Sequence, residues 1–261
     1  MNSNIHSLRT DALPPEIKGR SAWYGPELAR STDWIARLSK TEIAEVESAI
    51  RRLVESSFDL TSISSQDFPL PTLAARLCDV LDEVINGRGF ALIRALPVQR
   101  WSKREAAIAF LGIGVHLGHL RMQNAAGHLL GHVKDLGRSS EDPNARIYQT
   151  KERQTFHTDS CDVVGLLCLQ PAKFGGLSTV VSSTTIFNEM RRRRPDLLRV
   201  LLIRLKPIDV VKLPKAANLI SGLQCLTGMG ISCRRPISGN TSSLLADFPE
   251  LARLALFRSK H

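Results

Sequence analysis

No stretch of this sequence approaches the roughly 18 consecutive apolar residues that a membrane-crossing helix needs, which excludes a helical membrane protein. The opening residues, Met1 to Arg9, are polar and hold no apolar core segment, so no secretory signal is expected. Cysteine is scarce: the five present are odd in number and show no close pairing pattern. A disulfide framework is therefore excluded, and a reducing cytoplasm is the expected location. Aromatic residues make up only 5%, and beyond Phe187 just Phe248 and Phe257 remain. Histidine is absent from the whole stretch between Asp159 and His261.

What is present is an ordinary globular mixture. The 261 residues are 43% hydrophobic and 23% charged, enough to bury a core and too apolar for a disordered chain. The unusual quantity is charge: 35 Lys and Arg against 25 Asp and Glu give +10 and a pI near 9.8. Such a surplus invites a nucleic-acid or membrane-surface reading until it is located. Residues 205–261 hold 8 basic and 3 acidic side chains, so a fifth of the length carries half of the surplus. The one dense run elsewhere is Arg191 to Arg194, just before Pro195, where cations complement a helix C-terminus. It reads as a solvated helix end, with a phosphate-binding patch as the alternative. No aromatics interleave with it to stack bases, so neither a nucleic-acid nor a membrane partner is expected.

The first 84 residues form a helical region. Ser39 and Glu42 fit a capping box, followed by Ile43, Val46, Ile50, Leu53 and Val54 on one helical face. Leu73, Leu77, Val80, Leu81 and Val84 make a second stripe, stopped by Gly87. Gly89–Leu96 is a short apolar strand, and Ser102 and Glu105 cap a further helix. From Leu129 onward the spacing predicts strands over Leu129–Val133, Ile147–Tyr148, Val163–Leu169 and Leu177–Ser182, with a helix at Thr184–Arg194. The pattern predicts an α+β protein: an antiparallel barrel or double-sheet jelly roll behind a helical layer. Beyond Leu202 no sustained period of either kind appears, so the second set of strands that such a core requires is not supplied.

The chemistry centres on Phe156-His157-Thr158-Asp159-Ser160. On a strand, His157 and Asp159 would point to one face and could hold one metal ion. One imidazole and one carboxylate are two of the three ligands of a non-haem Fe(II) facial triad. An isolated H-x-D carries little weight, because seven histidines and thirteen aspartates yield about a third of one by chance.

The surroundings carry more. The run Gln154 to Ser160, then Gly165-Leu166-Leu167-Cys168-Leu169, Gly175-Gly176-Leu177-Ser178 and Val181-Ser182-Ser183 resembles the taurine dioxygenase-like (TauD/TfdA-like) family of Fe(II)- and 2-oxoglutarate-dependent dioxygenases. The resemblance extends upstream through Arg88-Gly89-Phe90, Leu117-Gly118-His119 and Gln123-Asn124, covering roughly residues 85 to 202. It implies a double-stranded β-helix of jelly-roll or cupin type, with Fe(II) and 2-oxoglutarate as cofactors and O2 and a small organic molecule as substrates. His157 and Asp159 match the family's first two iron ligands. Ser178 matches the hydroxyl that contacts 2-oxoglutarate, with a plain strand residue as the alternative, and Asn124 matches a polar position on the substrate side.

The same resemblance calls for a distal histidine and, beyond it, an arginine for the far carboxylate of 2-oxoglutarate. Neither has a match: Arg253 and Arg258 precede His261 and break the order. The four upstream histidines, His116, His119, His128 and His132, read as polar core or surface residues, with a separate metal site as the alternative. The genetic code suggests a cause. Reading the third base of each codon with the first two of the next permits Arg-Arg-Gly-Glu-Val-Ala-Glu-Gly across Ile208–Ala216. It likewise permits Pro-Tyr-Phe across Asn218–Ser221 and Pro-Val-Phe-Asp-Trp-Tyr-Gly across Leu223–Gly230, strings that resemble this family's continuation. Residues 1–84, 85–202 and 203–261 are thus expected to be a helical region, the first part of a dioxygenase domain, and an out-of-frame, poorly ordered tail.

Overall fold

The computed structural model describes residues 13–124, 126–139, 141, 145, 147–159, 161–204, 229–232 and 253–258. Its helices are α1 (Gly25–Leu28), α2 (Lys40–Glu55), α3 (Leu73–Ile85), α4 (Lys103–Leu117), α5 (Ser183–Arg193) and α6 (Pro195–Arg204). Its strands are β1 (Ile35–Arg37), β2 (Phe90–Arg94), β3 (His119–Arg121), β4 (Val163–Leu167), β5 (Met229–Ser232) and β6 (Arg253–Arg258). The six strands make one sheet in the order β1-β2-β6-β4-β5-β3, with β1 parallel to β2 and the other pairs antiparallel. Two of these strands come from the tail. They supply the positions between β2 and β4 and between β4 and β3.

The capping boxes set the helical layer. Ser39 Oγ accepts from the Glu42 amide while Glu42 Oε2 accepts from the Ser39 amide, starting α2. Ser102 and Glu105 repeat the exchange at α4. Helices α2, α3 and α4 bury Val46, Ile50, Leu53, Leu77, Ile108 and Ile113 against Ala91 and Ile93 of β2 and Val163 of β4. Each fully buried side chain of this size contributes about 1.5–3 kcal/mol by leaving water. On the opposite face, Trp34, Phe90, Leu92 and Val180 form a smaller cluster, with Trp23 set edge-on to Phe90 at 5.5 Å.

One close approach fixes α4. Phe68 is completely buried, and its ring lies where a side chain on Gly112 would stand: a methyl there would come within 2.4 Å of the ring carbons. One turn later His116 Nε2 donates to the Phe68 carbonyl at 2.7 Å. The loop before α3 is therefore held by a missing side chain and a present one on the same helix face.

An extended N-terminal strap lies over α5. The Asn188 side-chain amide accepts from Ile17 N at 2.9 Å and donates to Ile17 O at 2.7 Å, as a neighbouring strand would. Arg191 donates to Pro14 O at 2.8 Å, Thr185 to Trp23 O at 2.7 Å, and Ser182 to Ser21 O.

The expected helices at α2, α3, α4 and α5 and the strands at β2 and β4 are present. The strands expected over Leu129–Val133 and Leu177–Ser182 are not; both stretches are irregular, and Ile147–Gln149 is a single 3-10 turn. The physical reason is local. Gly175 and Gly176 both take positive φ, near +67°, which turns the backbone out of strand geometry before Leu177. Leu129 and Leu130 pack against the main core without a ladder partner.

Two predictions follow from the packing. Gly112→Ala should destabilise the fold by about 2 kcal/mol, because overpacking against Phe68 outweighs the roughly 1 kcal/mol gained in helix propensity. Urea melts check it, and a stabilised variant would overturn the Phe68 account. At Glu42, burial pushes the carboxyl pKa up, but the Ser39 donors and Arg76 outweigh it and hold the group below its ordinary range. A lowered carboxyl pKa adds stability above the unfolded value and loses it as pH falls through the folded value. Melts of Glu42→Gln should therefore show a shallower loss of stability than wild type as pH drops from about 5 to about 3.

Candidate functional site

Residues 150–159, and 161 and 162 before β4, are irregular, anchored at their start by Thr150, whose amide and hydroxyl both donate to Ile147 O at 2.9 and 2.8 Å. His157 and Asp159, expected on a strand, lie in this coil, because β4 begins only at Val163. They are nevertheless brought together. His157 Nδ1 stands 2.8 Å from Thr155 O, and a carbonyl can only accept, so the ring proton sits on Nδ1. The lone pair of Nε2 is thereby left bare. Nε2 lies 4.0 Å from Asp159 Oδ1, with the two side chains only 8% and 10% exposed.

The donor set suits a divalent metal. Imidazole nitrogen and carboxylate oxygen are both accepted by Fe(II), and a backbone partner on the far ring nitrogen is the usual way to orient a ligating histidine. Two ligand bonds of about 2.0–2.2 Å meeting at the right angle of a facial triad set their atoms roughly 3 Å apart, so the pair would close by about 1 Å to hold one ion. Among the described residues, no group of three or more His, Cys, Asp or Glu is gathered for a metal. The described chain brings one imidazole and one carboxylate together here.

The other expected site residues lie apart from this pair. Ser178 is exposed in the irregular stretch after Gly176, and no hydrogen bond joins it to His157 or Asp159. Asn124 closes its own turn: Oδ1 accepts from Ala126 N and His128 N at 3.1 and 3.2 Å, and Nδ2 donates to His128 Nδ1 at 3.0 Å. That bond places the His128 proton on Nε2, removing its ligating lone pair, while His116 Nε2 is engaged by Phe68 O. His116 and His128 are thus engaged elsewhere, and the upstream histidines form no metal cluster among the described residues. His261 and Ser160 lie outside the described residues.

The arginine run is individually paired. Arg191 bonds Pro14 O, Arg192 and Arg193 bond Glu189, and Arg194 bonds Asp196, whose carboxyl its guanidinium holds down at about 2. It behaves as the solvated helix end that its position before Pro195 suggests.

A family model described as "Taurine catabolism dioxygenase TauD, TfdA family" matches residues 56–214. The chain belongs to the TauD/TfdA family. Among curated relatives, the FR-33289 synthase of Streptomyces rubellomurinus is 28% identical over 189 residues, covering 72% of this chain and 56% of that protein. A taurine hydroxylase-like protein of Stachybotrys chartarum is 29% identical over 196 residues, covering 72% of this chain and 51% of that protein. The chain spans about half the length of these TauD/TfdA relatives. The match starts within the helical layer and ends at residue 214, a little beyond the point where the periodicity is lost. Sequence reasoning singled out His157 and Asp159 but missed the Thr155 carbonyl that holds the His157 ring. That role is played by a backbone carbonyl, which any residue type could provide.

Titration with Fe(II) or Co(II) should show weak binding, as a two-ligand site allows, weakened at least tenfold further in His157→Ala and Asp159→Ala. Unchanged titration curves in both variants would place the metal elsewhere.

Proposed function

We propose that this chain carries the first half of an Fe(II)- and 2-oxoglutarate-dependent dioxygenase site, one that in complete form oxidises a small organic substrate with O2. The observation that carries the reading is the His157–Asp159 pair, an imidazole nitrogen and a carboxylate oxygen 4.0 Å apart inside the span matched by the TauD/TfdA model. The hydroxylase name of one relative supports hydroxylation as the reaction. On this reading the core is a double-stranded β-helix whose second half is incomplete here. Residues 1–84 are its helical layer, 85–202 its first part, and 203–261 an out-of-frame tail.

His157 Nε2 and Asp159 Oδ1 would hold the iron, and Ser178 would offer its hydroxyl to 2-oxoglutarate. Asn124, whose side-chain atoms are committed to the 123–128 turn, would shape the substrate side through that loop. When bound, the metal supplies the activation of O2 that couples decarboxylation of 2-oxoglutarate to succinate with oxidation of a substrate C–H bond. The protein's share is positional. Thr155 O keeps the His157 proton on Nδ1, and Asp159 places a negative charge beside the vacant lone pair. Burial of both side chains limits competing water.

The third ligand has no counterpart among the described residues, and no histidine lies between Asp159 and His261. The chain as read is therefore a weak metal binder with little or no turnover. A non-catalytic binding protein is the second reading, favoured by the same two-ligand donor set.

With Fe(II), 2-oxoglutarate and O2, the present chain should form no succinate above the blank. The gene read in the alternate frame after codon 202 should form it readily. Robust succinate from the present chain would overturn its incompleteness, and none from the reframed protein would overturn the dioxygenase reading. Sequencing the transcript tests the tail, since a transcript without a homologous alternate frame there would remove the frame-shift account.

A further inference from the structure

One cross-strand row of the sheet carries arginine on three neighbouring strands. Arg37 of β1 is opposite Arg94 of β2, and Arg94 is in turn opposite Arg253 of β6. Like charges directly opposite each other on adjacent strands repel, so such a row needs compensation. Elsewhere in this molecule compensation is supplied: Arg20 and Arg88 share Glu83, Arg76 binds Glu42, and Arg100 binds Glu47. The guanidinium groups of Arg37 and Arg94 form no hydrogen bond or ion pair with any described residue. Arg94 is half-buried, and its Nε is wholly shielded from solvent with no partner atom. A buried donor left unpaired is costly, and a charged one more so.

The position is structured. By alternation along β2, Arg94 shares a face with Phe90 and Leu92, both packed in the cluster around Trp34 and Val180. Immediately after it, Ala95 takes φ +80°, a left-handed conformation uncommon for alanine, which ends the strand. By register the row lies past Leu167, at the end of β4 away from Val163 and hence away from the His157–Asp159 segment. It is not part of the metal pair.

We propose that Arg37 and Arg94 form a binding site for a phosphate-class oxyanion, separate from the metal pair. The guanidinium group presents several N–H donors in a planar fork that matches phosphate oxygens. An anion bridging the outer nitrogens of the two guanidinium groups neutralises the like-charge row and stabilises the charge that the shielded Arg94 Nε shares. Arg253 sits at the next register position. The two residues that bind lie on β1 and β2, so the proposal does not depend on how the tail is read or on the dioxygenase reading.

Titrate the full chain with inorganic phosphate at constant ionic strength, using chloride as the balancing salt, and follow the thermal midpoint and the heat of binding. Wild type should show a saturable rise in midpoint that chloride does not reproduce. Arg94→Gln should weaken binding at least tenfold, and Arg37→Gln, at an exposed position that the fold does not need, should weaken it measurably. Arg51→Gln, on the exposed face of α2, should bind as wild type does. Glycerol phosphate in a parallel titration separates the sources: tighter binding than phosphate identifies an organophosphate head group, and equal binding a free anion. Absence of saturation in wild type, or equal phosphate affinity in wild type and Arg37→Gln, overturns the proposal.

Discussion

Strand β2 is buried on both faces, and the rest of the molecule is arranged around that. Ala91 and Ile93 look into the space filled by α2, α3 and α4, whereas Phe90 and Leu92 look into the cluster with Trp34 and Val180. A strand of this kind has no solvent face to set its register, so the partners on both sides must do it. Strand β1 does so in parallel on one side and β6 antiparallel on the other. The residue that ends β2 therefore cannot choose its surroundings freely. Arg94 inherits a place in the row set by its neighbours, and its shielded Nε results from that alignment.

The His157–Asp159 pair rests on a weaker scaffold. No ladder holds the described residues from 150 to 159, so the geometry comes from short local bonds: Thr150 closing on Ile147, and Thr155 holding the His157 ring. Such bonds fix a tautomer and a ring direction effectively, because they act over two residues. They do less to fix the distance to Asp159. The pair is buried and oriented, but no strand pairing sets its spacing.

The parts legible in the sequence were those governed by local rules. Ser39 with Glu42 and Ser102 with Glu105 announced two helix starts, and the period-four stripes located α2 and α3. His157 and Asp159 were legible through their motif and its surroundings. What failed were the strands over Leu129–Val133 and Leu177–Ser182, where an apolar run met the pattern but glycine geometry and the lack of a neighbour overruled it. Strand formation is a statement about a partner, and a one-dimensional pattern holds no information about partners. The same limit hid the Arg37–Arg94 row, since 57 residues separate two side chains that only the sheet aligns.

The strap over α5 has a consequence for the order of assembly. Ile17 is bound by Asn188 across 171 residues of sequence, and Pro14 and Trp23 by Arg191 and Thr185 across similar separations. These bonds cannot form until α5 has been made, whereas Arg20 and Trp23 of the same segment find Glu83 and Phe90 earlier. Contacts of this separation close late, after the intervening chain has condensed. The strap's bonds to α5 are a seam of the molecule rather than its seed, closed only once both sides are in place.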